Sequence, residues 1–562
     1  MKLRFWALTG AMALIIITIM VVIAINGQDV NNKINNKSDN LTPATTLSQI
    51  PTKSPVPVVG AEEDQGIYPF YQIIDHVPTY GYMNSKGETI INPAFTMAND
   101  FHNGHAVVYM GKQYLLVDTT GNILYTSNNT IRDFTNGASV MSKKSGKDIL
   151  YGYVDVDGKE IIQARYKYAS DFSKEHTAYV YHGDGLYSKI NLTGKVLETY
   201  ELNKKYNPID IEDDYIIYYN TKDGSYGVIN FKEEVIFKAV YSEIIYMGDD
   251  IFALKKPDHK VGTMTSALPA ALYKSDGTQI TDYTLYDIRP FYNGYATVTD
   301  SKYTYFIGTD GKEVSHLPKF EGRGTVTLYG NIIKAAIDRD LTYYKTDGTI
   351  IWQSETTQML SGTLSVKRHK LKPNKYVTVY YPQLFGLPDD MLQTKINNSI
   401  KSKFADPRIH LKEKDFLSVE DTFKVTLKKN LLTIERDGYD YNFGAAHGMP
   451  IKDFYYVDMT DGTFHTFKDL FMEGSDYVNA INQFIKNEIS ADSSSDSNKY
   501  FQDGFKGIPS NPNFMITNRS VIIYFYPYEI APFSSGFPKF EIPYEDIYNY
   551  INFNSAFWKS FN

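Results

Sequence analysis

One alternation of apolar and polar residues recurs along most of the first 350 residues of this chain. In residues 151–172 (YGYVDVDGKEIIQARYKYASDF), a short apolar run leads into an Asp-x-x-Gly turn, and a second apolar run follows. Asp and Asn favour turns, and Gly accepts a positive φ because it has no Cβ to clash. The segment therefore predicts a strand-turn-strand hairpin.

The hairpin recurs at a nearly constant period. The turn glycines of four successive copies are Gly87, Gly121, Gly158 and Gly194. Self-similarity at a fixed period marks a repeat architecture, in which each unit buries its apolar face against its neighbours. We expect a mainly β array of three-stranded units over residues 66–360. Closure into a β-propeller is favoured because it removes exposed sheet edges, and an open solenoid is also compatible with the period.

The repeated pattern resembles the bacterial WG-repeat family, whose usual form is Trp-Gly-Tyr-Ile-Asn/Asp-x-x-Gly-Lys. Tyr80-Gly81, Tyr151-Gly152 and Tyr226-Gly227 stand where that family has Trp-Gly. The resemblance covers about residues 66–352. It implies a β-rich binding or scaffolding array with no shared enzymatic activity.

The amino-terminal pattern differs from the repeats. Residues 5–25 carry no charge, and Lys2 and Arg4 precede them. At about 1.5 Å per residue, a helix of this run would cross a bilayer core. The flanking charges predict a four-residue cytoplasmic stub, a single-pass anchor and an extracytoplasmic remainder. A cleavable signal peptide is the alternative, although a cut after Asn26 would leave a poorly accepted residue beside the cleaved bond.

Residues 26–65 are rich in Asn, Thr, Ser and Pro, which predicts a disordered linker. From residue 361 the period is lost, and strand-like and helix-like segments are interspersed. A helix is expected over residues 388–404, because Leu392, Ile396, Ile400 and Phe404 recur on one face. We therefore expect an α+β domain over residues 361–562.

This carboxyl-terminal part resembles the extracytoplasmic domain of the anti-sigma factor RsiV, which is also attached to some peptidoglycan deacetylases. The resemblance is carried, in order, by residues 380–383 (YYPQ), 444–448 (GAAHG), 467–471 (FKDLF), 526–532 (YPYEIAP) and 542–544 (IPY). In RsiV this region binds lysozyme, which implies a recognition domain. Because only four residues precede the apolar run here, we do not expect a sigma-binding segment, and no deacetylase domain is evident in this sequence.

The cysteine content and the net charge limit the kinds of site and partner that the protein can have. The chain has no cysteine, which excludes disulfides and thiolate metal sites. Its formal net charge is −8, and most of that charge falls on residues 27–360. An acidic array disfavours nucleic acid and favours cationic partners or divalent ions.

Four residues are candidates for ligand binding. His447 lies between small residues, which indicates a tight turn. Its side chain either faces a ligand or bonds the local backbone. Tyr524, Tyr526 and Tyr528 alternate, so on a strand they would share one face. Such a row is suited to stack on a sugar ring or a partner protein, and it is also typical of half a core. No H-E-x-x-H, G-x-S-x-G or phosphate-loop motif is present, so we predict no catalytic or metal-binding residue.

The sequence predicts a membrane-anchored, extracytoplasmic binding or sensor-type protein of the bacterial envelope, without cofactor or catalysis. It would recognise a lysozyme-like protein or peptidoglycan, and not nucleic acid. One alternative is an envelope enzyme that processes glycans, or an accessory subunit of one. Another is a structural spacer in an envelope assembly.

Overall fold

The structure, a computed structural model, describes residues 66–74, 77–257, 267–495 and 499–562. The predicted anchor and linker, residues 5–65, lie outside these ranges. Within the ranges, no helix is both long enough and apolar enough to span a bilayer.

Eight small antiparallel sheets follow one another through the repeat region of the described chain. Sheet 1 contains β1 Ile67–Ile74, β2 Val77–Asn84 and β3 Thr89–Phe95, and sheet 2 contains β4 Met97–Ala98, β5 His105–Met110, β6 Gln113–Asp118 and β7 Ile123–Ser127. Sheet 3 contains β8 Thr130–Ile131, β9 Ser139–Ser145, β10 Asp148–Val154 and β11 Glu160–Tyr166. Sheet 4 contains β12 Tyr168–Ala169, β13 Thr177–Gly183, β14 Leu186–Asn191 and β15 Val196–Glu201.

Sheet 5 contains β16 Pro208–Glu212, β17 Tyr215–Asn220, β18 Ser225–Asn230 and β19 Val235–Tyr241, and sheet 6 contains β20 Glu243–Gly248, β21 Ile251–Lys255 and β22 Ala270–Lys274. Sheet 7 contains β23 Ala296–Thr299, β24 Tyr303–Ile307 and β25 Phe320–Glu321. Sheet 8 contains β26 Gly324–Tyr329, β27 Ile332–Ile337, β28 Asp340–Lys345 and β29 Ile350–Gln353. The mainly β repeat array is confirmed. The unit predicted with three strands has four in sheets 2–5 and 8, because an additional first strand joins the expected meander; this strand has two residues in sheets 2–4, five in sheet 5 and six in sheet 8.

The Asp/Asn-x-x-Gly segments form the predicted turns. The Asp118 carboxylate accepts hydrogen bonds from the amides of Thr120 and Asn122, and Gly121 follows with a φ of 88°. The same bonds form at Asp155, where the carboxylate accepts from the amides of Asp157 and Lys159. In each turn, the Asp side-chain oxygen therefore takes the place of a backbone carbonyl as the acceptor for these two amides.

Hydrophobic clusters lie between neighbouring sheets, so each sheet completes the core of the next. Seven clusters join the sheets in chain order within the described part. An eighth cluster packs Ile332 and Tyr343 of sheet 8 against Tyr68 and Phe70 of sheet 1. Tyr343 Oη also donates a 2.6 Å hydrogen bond to the carbonyl of Pro69. An open solenoid has no such contact between its ends, so these contacts support the propeller, which stays a prediction.

The carboxyl-terminal region is α+β, as predicted. Its seven-stranded sheet contains β30 Thr357–Ser361, β31 Leu364–Asn374, β32 Val377–Phe385, β33 Leu417–Lys428, β34 Leu431–Asn442, β35 Met449–Asp458 and β36 Phe464–His465. Only β32 and β33 pair in parallel among its neighbouring strands. Helix α1, Asp390–Phe404, connects those two strands, begins at the capping carboxylate of Asp389, and buries Ile396, Ile400 and Phe404.

A second core lies beside this sheet. It is built on β37 Asn513–Ile516, β38 Ser520–Tyr524 and β39 Lys539–Pro543, with helices α2 Tyr477–Ser495 and α3 Ala556–Phe561 packed nearby. Short 3₁₀ turns occupy Glu413–Asp415, Phe467–Leu470, Phe533–Ser535 and Tyr548–Tyr550. The Ser and Asp residues of positions 490–498 predict a loop, whereas helix α2 continues to Ser495.

The repeat array and the carboxyl-terminal domain meet at a charged contact. Asp338, between β27 and β28, accepts hydrogen bonds from Lys372 at 2.6 Å and Lys370 at 3.1 Å. Arg339 and Asp340 pair across the same contact with Glu420 and Arg368, respectively. Leu268, which precedes β22, adds an apolar contact with Tyr376 and Phe443.

Candidate functional site

His447 lies in the connection between β34 and β35, residues 443–448. Its Nδ1 is 3.0 Å from the carbonyl oxygen of Gly448, and its Nε2 is 2.9 Å from Tyr528 Oη. The imidazole also stacks on the Phe533 ring, with 3.9 Å between centroids. The side chain therefore bonds local backbone, as one of the two interpretations has it, and also contacts Tyr528 and Phe533. The ligand-facing interpretation stays a prediction.

Gly448 explains why the connection is so tight. Its amide donates a 2.9 Å hydrogen bond to Tyr439 Oη. A Cβ at this position would lie 2.5 Å from the Tyr439 ring and 2.6 Å from the carbonyl oxygen of Asp440. Only glycine fits, so this contact fixes the backbone that carries His447.

Tyr528 is the exposed member of the site. Its φ is 71°, a left-handed conformation that is rare for a bulky residue, and 52% of its surface is accessible. The strain is held in place by local hydrogen bonds: the Tyr528 amide donates to the carbonyl of Ala531, and Glu529 accepts from the amide of Tyr526. Strained backbone of this kind tends to occur at functional sites.

Tyr526 and Tyr524 anchor this segment to the neighbouring strand. Both hydroxyls donate to the carbonyl oxygen of Lys452 in β35, at 2.9 and 2.8 Å. Tyr526 Oη also lies 3.1 Å from Asp453 Oδ1. Burial raises the pKa of both phenols, so they remain neutral hydrogen-bond donors.

A network of ion pairs supports the anchor. Lys452 Nζ bonds Glu435 at 2.5 Å and Asp437 at 2.6 Å, and these carboxylates raise the pKa of Lys452 against the lowering effect of burial. Arg436 bonds the fully buried carboxylate of Asp421 at 2.6 Å. The described carboxylates beneath the site are therefore paired with cations, which suits a rigid support.

The three tyrosines do not form the predicted row. Strand β38 ends at Tyr524, and Pro527 has no amide hydrogen to continue the ladder. Tyr524 is only 2% exposed and belongs to the core, Tyr526 is half-buried, and Tyr528 is exposed. The prediction of one shared strand face is wrong, while the pairing of His447 with Tyr528 brings two of the four candidates together.

A shallow cavity opens beside this segment. Its volume is about 270 Å³, and its lining includes Phe505, Pro512, Tyr524, Phe525 and Glu529. Glu529 belongs both to the cavity and to the bonds that shape the Tyr528 turn. A ligand that covers Tyr528 would therefore lie next to a ready apolar recess.

Two known families match parts of the chain. Residues 80–114 and 151–184 match the profile described as "WG containing repeat". Residues 468–545 match the profile described as "Protein of unknown function (DUF3298)". No curated protein matches the chain.

Solved structures give only distant similarities. A DUF3298 family member from Bacteroides fragilis is 17% identical, with 36% of this chain and 99% of that chain covered and a TM-score of 0.30. A DUF3298 family protein from Pseudomonas aeruginosa PAO1 is 19% identical, with 35% and 95% covered and a TM-score of 0.25. BamB from Moraxella catarrhalis is 13% identical, with 54% and 97% covered and a TM-score of 0.29.

At these TM-scores the similarities carry no argument about function. The profile matches, in contrast, fall on the two regions from which the resemblances were drawn. The chain thus joins WG-containing repeats to a carboxyl-terminal DUF3298 domain, the RsiV-like domain expected from the sequence.

Proposed function

We propose that this protein is a membrane-anchored, extracytoplasmic binding protein of the bacterial envelope. In this proposal, residues 5–25 hold the chain to the membrane, and the DUF3298 domain recognises a protein or cell-wall ligand without catalysis. The resemblance of the carboxyl-terminal domain to the extracytoplasmic domain of RsiV supports this location. The recognition surface is centred on Tyr528.

One observation carries the recognition role: an exposed aromatic ring is presented on a strained turn and held by a buried framework. Tyr528 is fixed by His447, while Tyr526 ties the same turn to β35. Tyrosine contributes strongly to interfaces because it offers a large rigid surface with little loss of side-chain entropy. A pre-organised Tyr528 therefore suits the centre of an interface.

Binding is tested with two immobilised probes, a lysozyme and insoluble peptidoglycan, and the full-length protein in detergent micelles. We expect retention on at least one probe. The variant Tyr528→Asn removes the ring and keeps a residue that tolerates a positive φ. It should weaken binding about tenfold or more, as expected for the loss of a central aromatic contact.

The matched control is Tyr548→Asn, since Tyr548 is 61% exposed in the same domain. It should bind like the wild type. Absence of binding to both probes by folded wild-type protein would contradict the recognition role and favour a structural spacer. Equal losses in both variants would show that Tyr528 is not the centre of the surface.

The location is tested separately. Full-length protein should sediment with membranes, and protease added outside intact cells should digest the repeats and the DUF3298 domain. Recovery of undigested protein in the soluble cell fraction would contradict the anchor and the extracytoplasmic location. This result does not depend on which ligand binds.

A further inference from the structure

The alternating strand directions give the repeat array two ends. In sheets 1–4, the Asp/Asn-x-x-Gly turn lies at one end of the hairpin strands; residues 230–233 take its place in sheet 5, and turns that end in Asp-Gly take its place in sheets 6–8. The tight connections that precede it, such as β5–β6, β9–β10, β13–β14 and β17–β18, lie at the other end. We call this second end the hairpin face.

Pairs of tyrosines recur at the hairpin face. In four of the first five sheets, the two strands of the hairpin place tyrosines directly opposite each other. The pairs, with the distances between ring centroids, are Tyr71–Tyr80 (5.5 Å), Tyr109–Tyr114 (5.0 Å), Tyr181–Tyr187 (4.5 Å) and Tyr219–Tyr226 (5.1 Å). Sheet 3 keeps one member, with Ser142 opposite Tyr151.

The last three sheets lack this feature. At the corresponding register, Lys255 faces Ala270, Thr299 faces Thr304, and Ala336 faces Leu341. These are also the sheets that the DUF3298 domain contacts, through residues 338–340 and 267–268 and through Lys375, whose ammonium lies 4.0 Å from the Tyr286 ring. The tyrosine pairs therefore continue the same face beyond the part that the domain covers.

All the paired tyrosines except Tyr187, which is buried in the core, keep part of their ring surface exposed. Tyr71, Tyr80, Tyr109 and Tyr114 are half-buried, as are Tyr219 and Tyr226. Within the part of the chain that the structure describes, the hydroxyls of Tyr109, Tyr114, Tyr219 and Tyr226 donate no hydrogen bond. Each of these pairs therefore offers ring surface together with donors that a ligand can use.

Charge separates the two ends of the array. The hairpin face exposes Lys112, Lys143, Lys144, Lys147, Lys167 and Lys222, against the acidic residues Asp148, Asp184, Glu201 and Asp223. The opposite end carries the carboxylates of the turns and of the loops beside them, among them Asp118, Asp155, Asp157, Asp213, Asp214 and Glu234. A protein that is acidic as a whole thus has more lysines than acidic residues among these exposed charges of its hairpin face, and three of these lysines lie in the hairpin of sheet 3, between the sheets that carry the tyrosine pairs.

We propose that the hairpin face of sheets 1–5 binds a linear acidic glycan. Sugar rings stack on tyrosine, the free hydroxyls can bond sugar hydroxyls, and the lysines attract carboxylate or phosphate groups. Because the same pair recurs from sheet to sheet, a polymer can engage several pairs at once and gain affinity by multivalency. The acidic opposite end and the net charge of −8 disfavour nucleic acid, which is a denser polyanion.

Affinity electrophoresis of the full-length protein tests this proposal. Polygalacturonate in the gel serves as the carboxylated glycan, dextran as the neutral glycan, and oligothymidylate as the nucleic-acid competitor. We expect polygalacturonate to retard the protein more than dextran, and the retardation to fall as salt rises from about 0.05 to about 0.5 M. Oligothymidylate should compete poorly.

A quadruple variant carries Ala at Tyr109, Tyr114, Tyr219 and Tyr226 and should bind polygalacturonate at least about tenfold more weakly. Tyr→Phe changes at the same four positions keep the rings and should cost less. Tyr548→Ala, in the other domain, is the control and should bind normally. Because truncated cores are destabilising, each variant is first compared by circular dichroism and thermal unfolding.

Three results would overturn the proposal: no retardation of the wild type by polygalacturonate, equal retardation of the folded quadruple variant, or displacement by oligothymidylate at low concentration. The last result would assign the face to single-stranded nucleic acid. Loss of glycan binding in Tyr528→Asn would place the glycan site in the DUF3298 domain and would equally overturn the proposal. The hairpin face and the Tyr528 surface are therefore tested independently.

Discussion

Lys372 of the carboxyl-terminal domain donates a 2.6 Å hydrogen bond to Asp338 at the tip of the last repeat sheet. The Asp338 carboxylate is only 2% exposed, and Lys370 bonds its other oxygen. Replacing Asp338 by Asn would leave two partly buried lysines without their counterion. Loss of one partner of a buried ion pair costs about 3–5 kcal/mol. Since these lysines keep some exposure, we expect Asp338→Asn to lower the free energy of unfolding by about 2–3 kcal/mol, as measured by chemical denaturation.

Asp184→Asn is the matched control. Asp184 and Lys204 also form an ion pair, but their side chains are 94% and 78% exposed. Asn tolerates the positive φ of Asp184. The control should change the free energy of unfolding by under about 1 kcal/mol. Equal effects of the two substitutions would show that the contact between the domains does not stabilise the fold.

The same carboxylate predicts a pH dependence. Burial would raise the pKa of Asp338, but Lys372 and Lys370 outweigh it and hold the pKa below the usual value of 3.8. A lowered pKa in the folded state means that the stabilisation is complete above the unfolded value and is lost as the pH falls through the folded value. The difference in unfolding free energy between wild type and Asp338→Asn should therefore be constant above about pH 5 and shrink below about pH 4. A difference that grows on acidification would contradict this assignment.

The turn glycines predict a graded response to alanine. Gly146 has a φ of 62° and open space around it, so Gly146→Ala should cost about 1–2 kcal/mol for the left-handed backbone alone. At Gly158, φ is 77° and a Cβ would lie 2.0 Å from the Tyr125 ring of the preceding sheet. Gly158→Ala should therefore lower the free energy of unfolding by roughly 1–3 kcal/mol more than Gly146→Ala does, because the added methyl group overpacks this contact. Thermal and chemical unfolding of both variants measure the difference, and equal losses would contradict the contact between the sheets.

Contact between the first and last sheets can be tested at one hydroxyl. Tyr343 is fully buried, and its hydroxyl bonds the Pro69 carbonyl across that contact. Tyr343→Phe leaves the carbonyl without its donor and should cost about 1–3 kcal/mol. Tyr109→Phe removes a hydroxyl that donates no hydrogen bond in the described part of the chain, so it should be nearly neutral. If the two variants unfold alike, sheets 1 and 8 do not meet as the structure shows.

The repeat fold was predictable because its signals are local. Asp118 and Gly121 specify a turn within four residues, and the period then specifies the array. The short first strands were missed because two residues, as in Met97–Ala98, carry no periodic pattern. Contact of Tyr68 with Tyr343 depends on the arrangement of all the intervening sheets, which no local pattern encodes.

The candidate site was predicted only in part, for a related reason. His447 stood out because Gly448 and two alanines surround it, and Tyr528 because it lies in an aromatic run. Their contact spans 81 residues and was not visible in either segment. Lys452, which anchors Tyr524 and Tyr526, gave no signal, because a backbone carbonyl has no sequence signature.

The pairing of Tyr343 with Pro69 joins positions 274 residues apart. During biosynthesis, the first sheet must therefore wait until the eighth has emerged before its outer face is covered. Contacts this remote slow folding, because a long loop must close before they can form. A nascent or prematurely ended chain would expose Tyr68 and Phe70 to chaperones and proteases. A complete chain buries both residues against the eighth sheet, so exposure of this surface distinguishes incomplete chains from complete ones.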